Sequence, residues 1–223
     1  LEREEALPRI VIRSFADGTE YEIVFDEEAY DLSLMPGYEF ETDTLRFAYS
    51  SPSTPQRIFD YDMRSREHTL RKEQEIPSGH AAESYICRRL MAESHDGTLV
   101  PLTVLHKKET ALDGLAPMLL YGYGSYGFAM PAGFSSNVFS LVDRGFVYAI
   151  AHIRGGTENG YGWYLDGKLE RKKNTFLDFI AAAEYLIAEK FTCAGNIIAQ
   201  GRSAGGMLMG AVANMRPDLF KGI

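Results

Sequence analysis

Ile197-Ile198-Ala199-Gln200-Gly201-Arg202-Ser203-Ala204-Gly205-Gly206-Met207-Leu208-Met209 is the stretch whose reading decides the fold. Its first residues form a short apolar run of the kind that makes a buried strand, and the run ends at Gly201. Just past Ser203 an apolar, Ala- and Gly-containing run reads as a helix. Between the two lies Gly-x-Ser-x-Gly, the pattern of a nucleophile elbow. A serine raised on a sharp strand-to-helix turn has a strained backbone and close neighbours two residues to either side. Side chains at Gly201 or Gly205 would clash there. The same turn exposes the hydroxyl and aims the first N–H groups of the helix at whatever the hydroxyl attacks. The five-residue pattern alone is common and also fits a structural glycine turn with an incidental serine. Its place between strand and helix makes it informative.

Outward from this stretch, the preceding region alternates strand and helix. Met118-Leu119-Leu120-Tyr121 and Phe146 to Ala151 are continuous apolar runs, as is Ile197 to Gln200. Strands apolar on both faces belong in a parallel sheet covered by helices. Phe176, Phe179, Ile180, Ala183, Leu186 and Ile187 recur at helical spacing, behind an expected N-cap at Asn174. With right-handed crossovers the pattern predicts an α/β sheet with Ser203 at the carboxyl end of a central strand. The expected fold class is an α/β hydrolase. Ahead of the sheet, Glu83 to Leu90 and Leu99 to His106 read as a hairpin turning at Asp96-Gly97.

The first third of the chain differs. Ile10-Val11-Ile12 and Tyr21 to Phe25 flank a turn at Asp17-Gly18. Leu45 to Tyr49 and Arg57 to Asp62 follow at similar spacing. Short strands at such intervals predict an antiparallel sandwich or one or two propeller blades. A charged stretch from Lys72 to His80, containing Pro77-Ser78-Gly79, reads as a linker. The expected division is therefore 1–79 and 80–223.

Composition narrows the function. The chain has 223 residues, 45% hydrophobic and 24% charged, with 23 basic against 31 acidic side chains and a net charge of −8. That balance argues against nucleic acid and anionic membranes as partners, and mildly favours cationic substrates. No apolar run is long enough to span a bilayer, and no signal peptide is recognisable. Cys87 and Cys193 have neither metal nor redox spacing, so no metal or cofactor is expected and a reducing, cytoplasmic location is the simplest expectation. The chain begins at Leu1 and stops soon after the elbow helix, so the sequence reads as a piece of a longer protein.

A second glycine-rich stretch, Tyr121-Gly122-Tyr123-Gly124-Ser125-Tyr126-Gly127, follows the Met118 strand. Gly122-x-Gly124-x-x-Gly127 imitates a dinucleotide loop. No apolar helix starts at Gly127, however, since Pro131 and Gly133 follow, and the next strand runs into His152 and not into an acid. In a hydrolase the loop at this place supplies an oxyanion-hole donor.

Leu120 to Gly127, Ile153-Arg154-Gly155-Gly156, Lys173-Asn174-Thr175-Phe176, the elbow and Arg216 to Phe220 together resemble the prolyl oligopeptidase family. The nearest branch is oligopeptidase B. The resemblance covers roughly Glu83 to the end. It implies that 1–79 is the last part of a seven-bladed propeller and 80–223 the first part of the catalytic domain. It implies a serine oligopeptidase acting on short basic peptides, cutting after Arg or Lys through an acyl-enzyme. Ser203 would be the nucleophile, with the Tyr123 hydroxyl and the Ala204 N–H as the oxyanion hole. Tyr126 and Glu158 would lie near the substrate. Each of these aromatic and acidic positions also fits plain packing. Alanine after the serine resembles oligopeptidase B, whereas Arg202 replaces the glycine the pattern leads one to expect. Some members carry two acids just after the tyrosine loop that favour paired basic residues, yet Phe128 to Phe134 holds none.

An acylating serine needs a base and an orienting acid, which in this fold follow it in the chain. Ala204 to Ile223 contains no histidine, and all five histidines precede Ser203. His152 alone is expected near the sheet's carboxyl edge, as a partly buried structural residue, and Asp218 reads as a cap. The base and acid are expected from the rest of the catalytic domain. Other readings are a post-proline or acylaminoacyl peptidase or esterase on the same scaffold, and a non-catalytic interaction fragment.

Overall fold

The computed structural model describes residues 1–223. Two antiparallel hairpins open the chain: β1 (Glu2–Glu4) with β2 (Leu7–Arg9), and β3 (Val11–Arg13) with β4 (Glu20–Glu22). A four-stranded antiparallel meander follows, made of β5 (Asp31–Met35), β6 (Thr44–Ser50), β7 (Arg57–Asp62) and β8 (His68–Glu73). This is one propeller blade. Its inner face buries Leu32, Phe47, Tyr49 and Tyr61 against Ile10 and Ile23 from the preceding hairpin. β8 takes up Lys72 and Glu73, which the charge pattern assigns to the linker, because their backbone pairs with β7 while their side chains stay exposed.

The remaining elements are β9 (Tyr85–Glu93), β10 (Leu99–Lys107), β11 (Met118–Gly122), α1 (Ser136–Val142), β12 (Val147–Ala151), α2 (Tyr161–Leu165), α3 (Lys173–Ala188), β13 (Ile197–Gln200), α4 (Ala204–Met215) and β14 (Phe220–Gly222). Their six strands form one mixed sheet in the order β14-β13-β11-β12-β10-β9. β9, β10 and β12 pair antiparallel, and β11, β12, β13 and β14 run parallel. The architecture is the start of an α/β hydrolase behind a propeller blade.

The core lies between this sheet and α3. Met118, Leu120, Val147, Ala149, Ile197 and Ala199 from the central strands meet Phe179, Ala182, Ala183 and Leu186 from the helix. A 16-residue helix is marginal alone, and burial of each large side chain contributes about 1.5–3 kcal/mol, so packing makes α3 persist. Its first residue is Lys173 and Lys172 occupies the cap position, not Asn174. The Asn174 amide instead donates to the Asp166 carbonyl at 3.0 Å, tying the helix to the preceding loop.

Candidate active site

β13 ends at Gln200 and α4 begins at Ala204, and the turn between them is held by a serine in a conformation that L-residues rarely adopt. Ser203 has φ 58° and ψ −119°. The turn is so tight that a Cβ at Gly201 would stand 2.4 Å from the Gly205 carbonyl oxygen. The Ser203 side chain is exposed, at the carboxyl edge of the sheet. The Gly205 and Gly206 N–H groups bond back to the Arg202 and Ser203 carbonyls at 2.9 and 2.8 Å. Ala204, as the first helical residue, has no acceptor one turn earlier, which leaves its N–H available at the turn. Arg202 is exposed, with its charge near Tyr121.

β11 is the neighbour of β13, and the tyrosine loop leaves β11 directly beside the elbow. A Cβ on Gly205 would lie 3.7 Å from Tyr123 Cδ2 and 3.9 Å from Tyr123 Cα. The Tyr123 ring meets Phe128 edge-on, with centroids 5.8 Å apart. Tyr126 is 81% exposed and has φ 58°. Together with Tyr164, Lys168, Lys172 and Met207, which lies in the first turn of α4, it lines an open cavity. Ser203, Ala204, Tyr123 and Tyr126 are therefore brought to one edge of the sheet.

Glu158 is not on that open edge. It is only 1% exposed, and its Oε1 accepts the Met130 N–H at 3.0 Å while its backbone carbonyl accepts the Ala6 N–H at 3.2 Å. Oε2 is buried without a partner. Burial pushes its carboxyl up to about 7, against the lowering effect of that hydrogen bond. The expectation of an acid beside the cleft becomes a carboxyl packed beneath the 128–134 loop.

The histidines are committed elsewhere. His152 directly follows β12, one strand beyond β11 from the elbow strand. It is 1% exposed, with Nε2 2.8 Å from Thr103 Oγ1. Burial lowers it to about 3, so it stays neutral. The His80 Nε2 pairs with the Ser53 carbonyl, and His106 is buried beside the Lys107 carbonyl. Asp218 is exposed in an ion pair with Arg216, which also holds Glu184.

Behind the tyrosine loop lies a charged network that carries little signal in the sequence. Arg154, 4% exposed, donates through Nε and Nη2 to the fully buried Asp178 of α3 at 2.8 and 2.6 Å, and through Nη1 to Asp96 at 2.6 Å. The Arg154 backbone N–H and Ser94 Oγ also donate to Asp178, at 3.1 and 2.7 Å. The guanidinium holds the Asp96 carboxyl well below the usual range. Thr175 Oγ1 bonds the Arg154 and Gly167 carbonyls at 2.8 and 3.1 Å. Lys172 and Asp178 flank the Lys173–Phe176 motif in the sequence, and Asp96 stands there only as a turn residue before Gly97, so nothing in the sequence joins the three.

Residues 132–223 match the model described as the prolyl oligopeptidase family, and residues 1–74 match its N-terminal beta-propeller domain. The chain belongs to the prolyl oligopeptidase family. Among relatives in that family, it is 45% identical over 221 residues to dipeptidyl aminopeptidase BI of Pseudoxanthomonas mexicana, covering 99% of this chain and 30% of that protein. Protease 2 of Moraxella lacunata is 36% identical across 98% of the chain and 31% of its own length. In structure the chain resembles oligopeptidase B from Leishmania major, with a TM-score of 0.89 and 42% identity over 98% of this chain and 32% of that one. Oligopeptidase B from Trypanosoma brucei with covalently bound antipain gives a TM-score of 0.90 at 40% identity, covering 99% of this chain and 32% of its own. The chain thus spans about a third of the family members it matches.

Proposed function

We propose that this chain is part of a serine oligopeptidase that cuts short peptides after Arg or Lys. In this reading Ser203 attacks the scissile carbonyl and forms an acyl-enzyme. The negative charge that develops on the carbonyl oxygen is taken by the Ala204 N–H and the Tyr123 hydroxyl. The base that accepts the serine proton and its orienting acid come from the rest of the catalytic domain. The observation that carries the reading is the meeting of the two glycine-rich stretches, with Gly205 of the elbow helix against Tyr123. A strained, exposed serine and a tyrosine loop packed on its helix suit acyl transfer, and a purely architectural elbow needs only the first.

Basic specificity is supported by the net charge of −8 and by the likeness to oligopeptidase B structures. Tyr126 contacts substrate from the exposed loop. Glu158 serves the cleft from beneath, by holding the Met130 backbone. Its partners in this reading are short peptides. No helix is long and apolar enough to cross a membrane. Two unpaired cysteines are consistent with a reducing compartment such as the cytoplasm.

A second reading, release of dipeptides from a free amino terminus, is favoured by the 45% identity to a dipeptidyl aminopeptidase. Fluorogenic substrates ending in Arg, Lys or Pro, each with a free or a blocked N-terminus, tested on the full-length protein decide between them. Hydrolysis of blocked Arg and Lys substrates supports the oligopeptidase. A strict need for a free amino terminus two residues from the cut supports the aminopeptidase. Failure of a fluorophosphonate to label Ser203 excludes both.

A further inference from the structure

Lys172 sits immediately before α3, with its ammonium turned into the protein. It forms no ion pair with any carboxylate, and burial alone pushes it down to about 8. A half-buried cation without a counter-ion is unfavourable unless its donors are well used. Here Nζ donates to the Gly124 carbonyl and, at 3.0 Å, to Ser125 Oγ. The titratable groups that share its cavity are Lys168, Tyr126 and Tyr164, and Lys168 is drawn off over the Tyr164 ring at 4.3 Å.

The carbonyl that Lys172 binds, that of Gly124, belongs to the Gly124–Ser125 peptide, which follows the Tyr123–Gly124 peptide in the chain. Gly124 has φ 62°, and its peptide is closed in on the other side by the Gly155 backbone. Thr175, in the first turn of α3, fills the space beside it, so that a Cβ on Gly124 would meet Thr175 Cγ2 at 2.4 Å. A continuous path therefore runs from the start of α3 through Lys172 to Gly124. From there it passes to Tyr123 and to the first turn of α4. A rotation of the Gly124–Ser125 peptide would be passed through the Gly124 Cα to the neighbouring Tyr123–Gly124 peptide, and so to the Tyr123 side chain.

We propose that Lys172 is a positioning residue for the oxyanion site: by holding the Gly124 carbonyl and the Ser125 hydroxyl it sets where the Tyr123 hydroxyl points. This rests on the peptidase reading above and adds a residue to it. Lys172 does not touch substrate in this role. Its removal therefore weakens transition-state stabilisation while leaving substrate binding nearly intact.

The test is a double-mutant cycle in the full-length protein. Lys172→Met keeps the aliphatic stem and removes the donors, and Tyr123→Phe removes the hydroxyl being positioned. Lys172→Met is expected to lower kcat by roughly 10- to 100-fold, with KM changed less than about threefold, while an unchanged melting temperature reports an intact fold. In the Tyr123→Phe background the same substitution should cost less than about threefold, since there is no hydroxyl left to aim. Lys172→Arg, which retains a cation and donors, should recover part of the loss. Should Lys172→Met fail to fold, Ser125→Ala removes one of the two partners and should show the same non-additivity on a smaller scale. Equal losses in both backgrounds, a change confined to KM, or an unchanged kcat would overturn the role of Lys172 while leaving the peptidase reading standing. Absence of Ser203-dependent turnover in the unmodified protein would overturn the reading itself, and the role of Lys172 with it.

Discussion

Gly155 and Gly124 touch backbone to backbone: a Cβ at Gly155 would lie 2.0 Å from the Gly124 carbonyl oxygen. Gly155 also has φ 106°, a region that side chains other than hydrogen rarely enter. The Arg154–Gly156 loop and the tyrosine loop can therefore stack only while this position has no side chain. Gly155→Ala is expected to cost about 2–4 kcal/mol by combining strain with a clash, and to lower kcat by displacing Gly124. Urea unfolding and kcat in the full-length protein check both. A fully stable, fully active variant would show that the two loops separate without consequence.

Ser203→Ala should reduce turnover of the full-length protein by on the order of 10⁴-fold or more. Tyr123→Phe should lower kcat by about 10²–10³ with little change in KM, because the hydroxyl acts on charge that exists only in the transition state. A shift in KM alone would make Tyr123 a substrate-binding residue. The 223-residue chain by itself should be inactive, since none of its histidines lies at the elbow. Serine-dependent turnover by the isolated chain would place the base within it.

Asp178→Asn should destabilise the protein by about 3–5 kcal/mol. The change leaves the 4%-exposed Arg154 with the half-exposed Asp96 as its only carboxylate, so a buried charge loses most of its compensation. Replacing both Arg154 and Asp178 by apolar residues of similar size should cost less than Asp178→Asn alone. Chemical denaturation of the three variants tests the order.

Glu158 and His152 give opposite pH trends. The Glu158 carboxyl is raised from its ordinary value near 4.5 to about 7, so its contribution is complete below 4.5 and is lost as pH rises towards 7. His152 is lowered from 6.5 to about 3, so its contribution is complete above 6.5 and is lost as pH falls towards 3. Between pH 4.5 and 6.5 the two nearly cancel. Glu158→Gln should abolish the loss between pH 4.5 and 7, a difference on the order of 2–3 kcal/mol, and expose the acid-side loss from His152. Unfolding free energies at pH 4.5, 6 and 7.5 read this directly. An unchanged pH profile would mean that Glu158 is ionised in the folded protein.

Selectivity for paired basic residues should be weak. The 128–134 loop carries no acid, and Glu158 behind it is buried and bonded to Met130. A carboxylate near an arginine contributes about 1–3 kcal/mol, or roughly 5- to 150-fold. Without one, kcat/KM for Arg-Arg and Ala-Arg substrates should agree within about tenfold. A larger ratio that collapses in Glu158→Gln would return the specificity role to Glu158.

The sequence by itself determined the features whose causes are local. Gly201 and Gly205 announce the elbow because backbone sterics two residues from Ser203 allow little else. The Phe176–Ile187 periodicity announces α3, and Asp96-Gly97 announces the β9–β10 turn, each through neighbours a few positions apart. The continuous apolar runs of β11, β12 and β13 announce strands of the sheet, of which one face is fully buried against the helices while Leu119, Tyr121, Tyr148 and Ile198 on the other are half-buried. Only the tertiary structure decided which strand lies beside which, and so brought Tyr123 from β11 against Gly205 from α4. It decided that Asn174 reaches Asp166 and leaves the α3 cap to Lys172, because a side-chain amide cannot announce which of several carbonyls it will meet. It also decided that Glu158 is buried and that Arg154 meets both Asp178 and Asp96. Those outcomes depend on residues 24 to 58 positions away whose approach is set by sheet order and not by spacing in the chain.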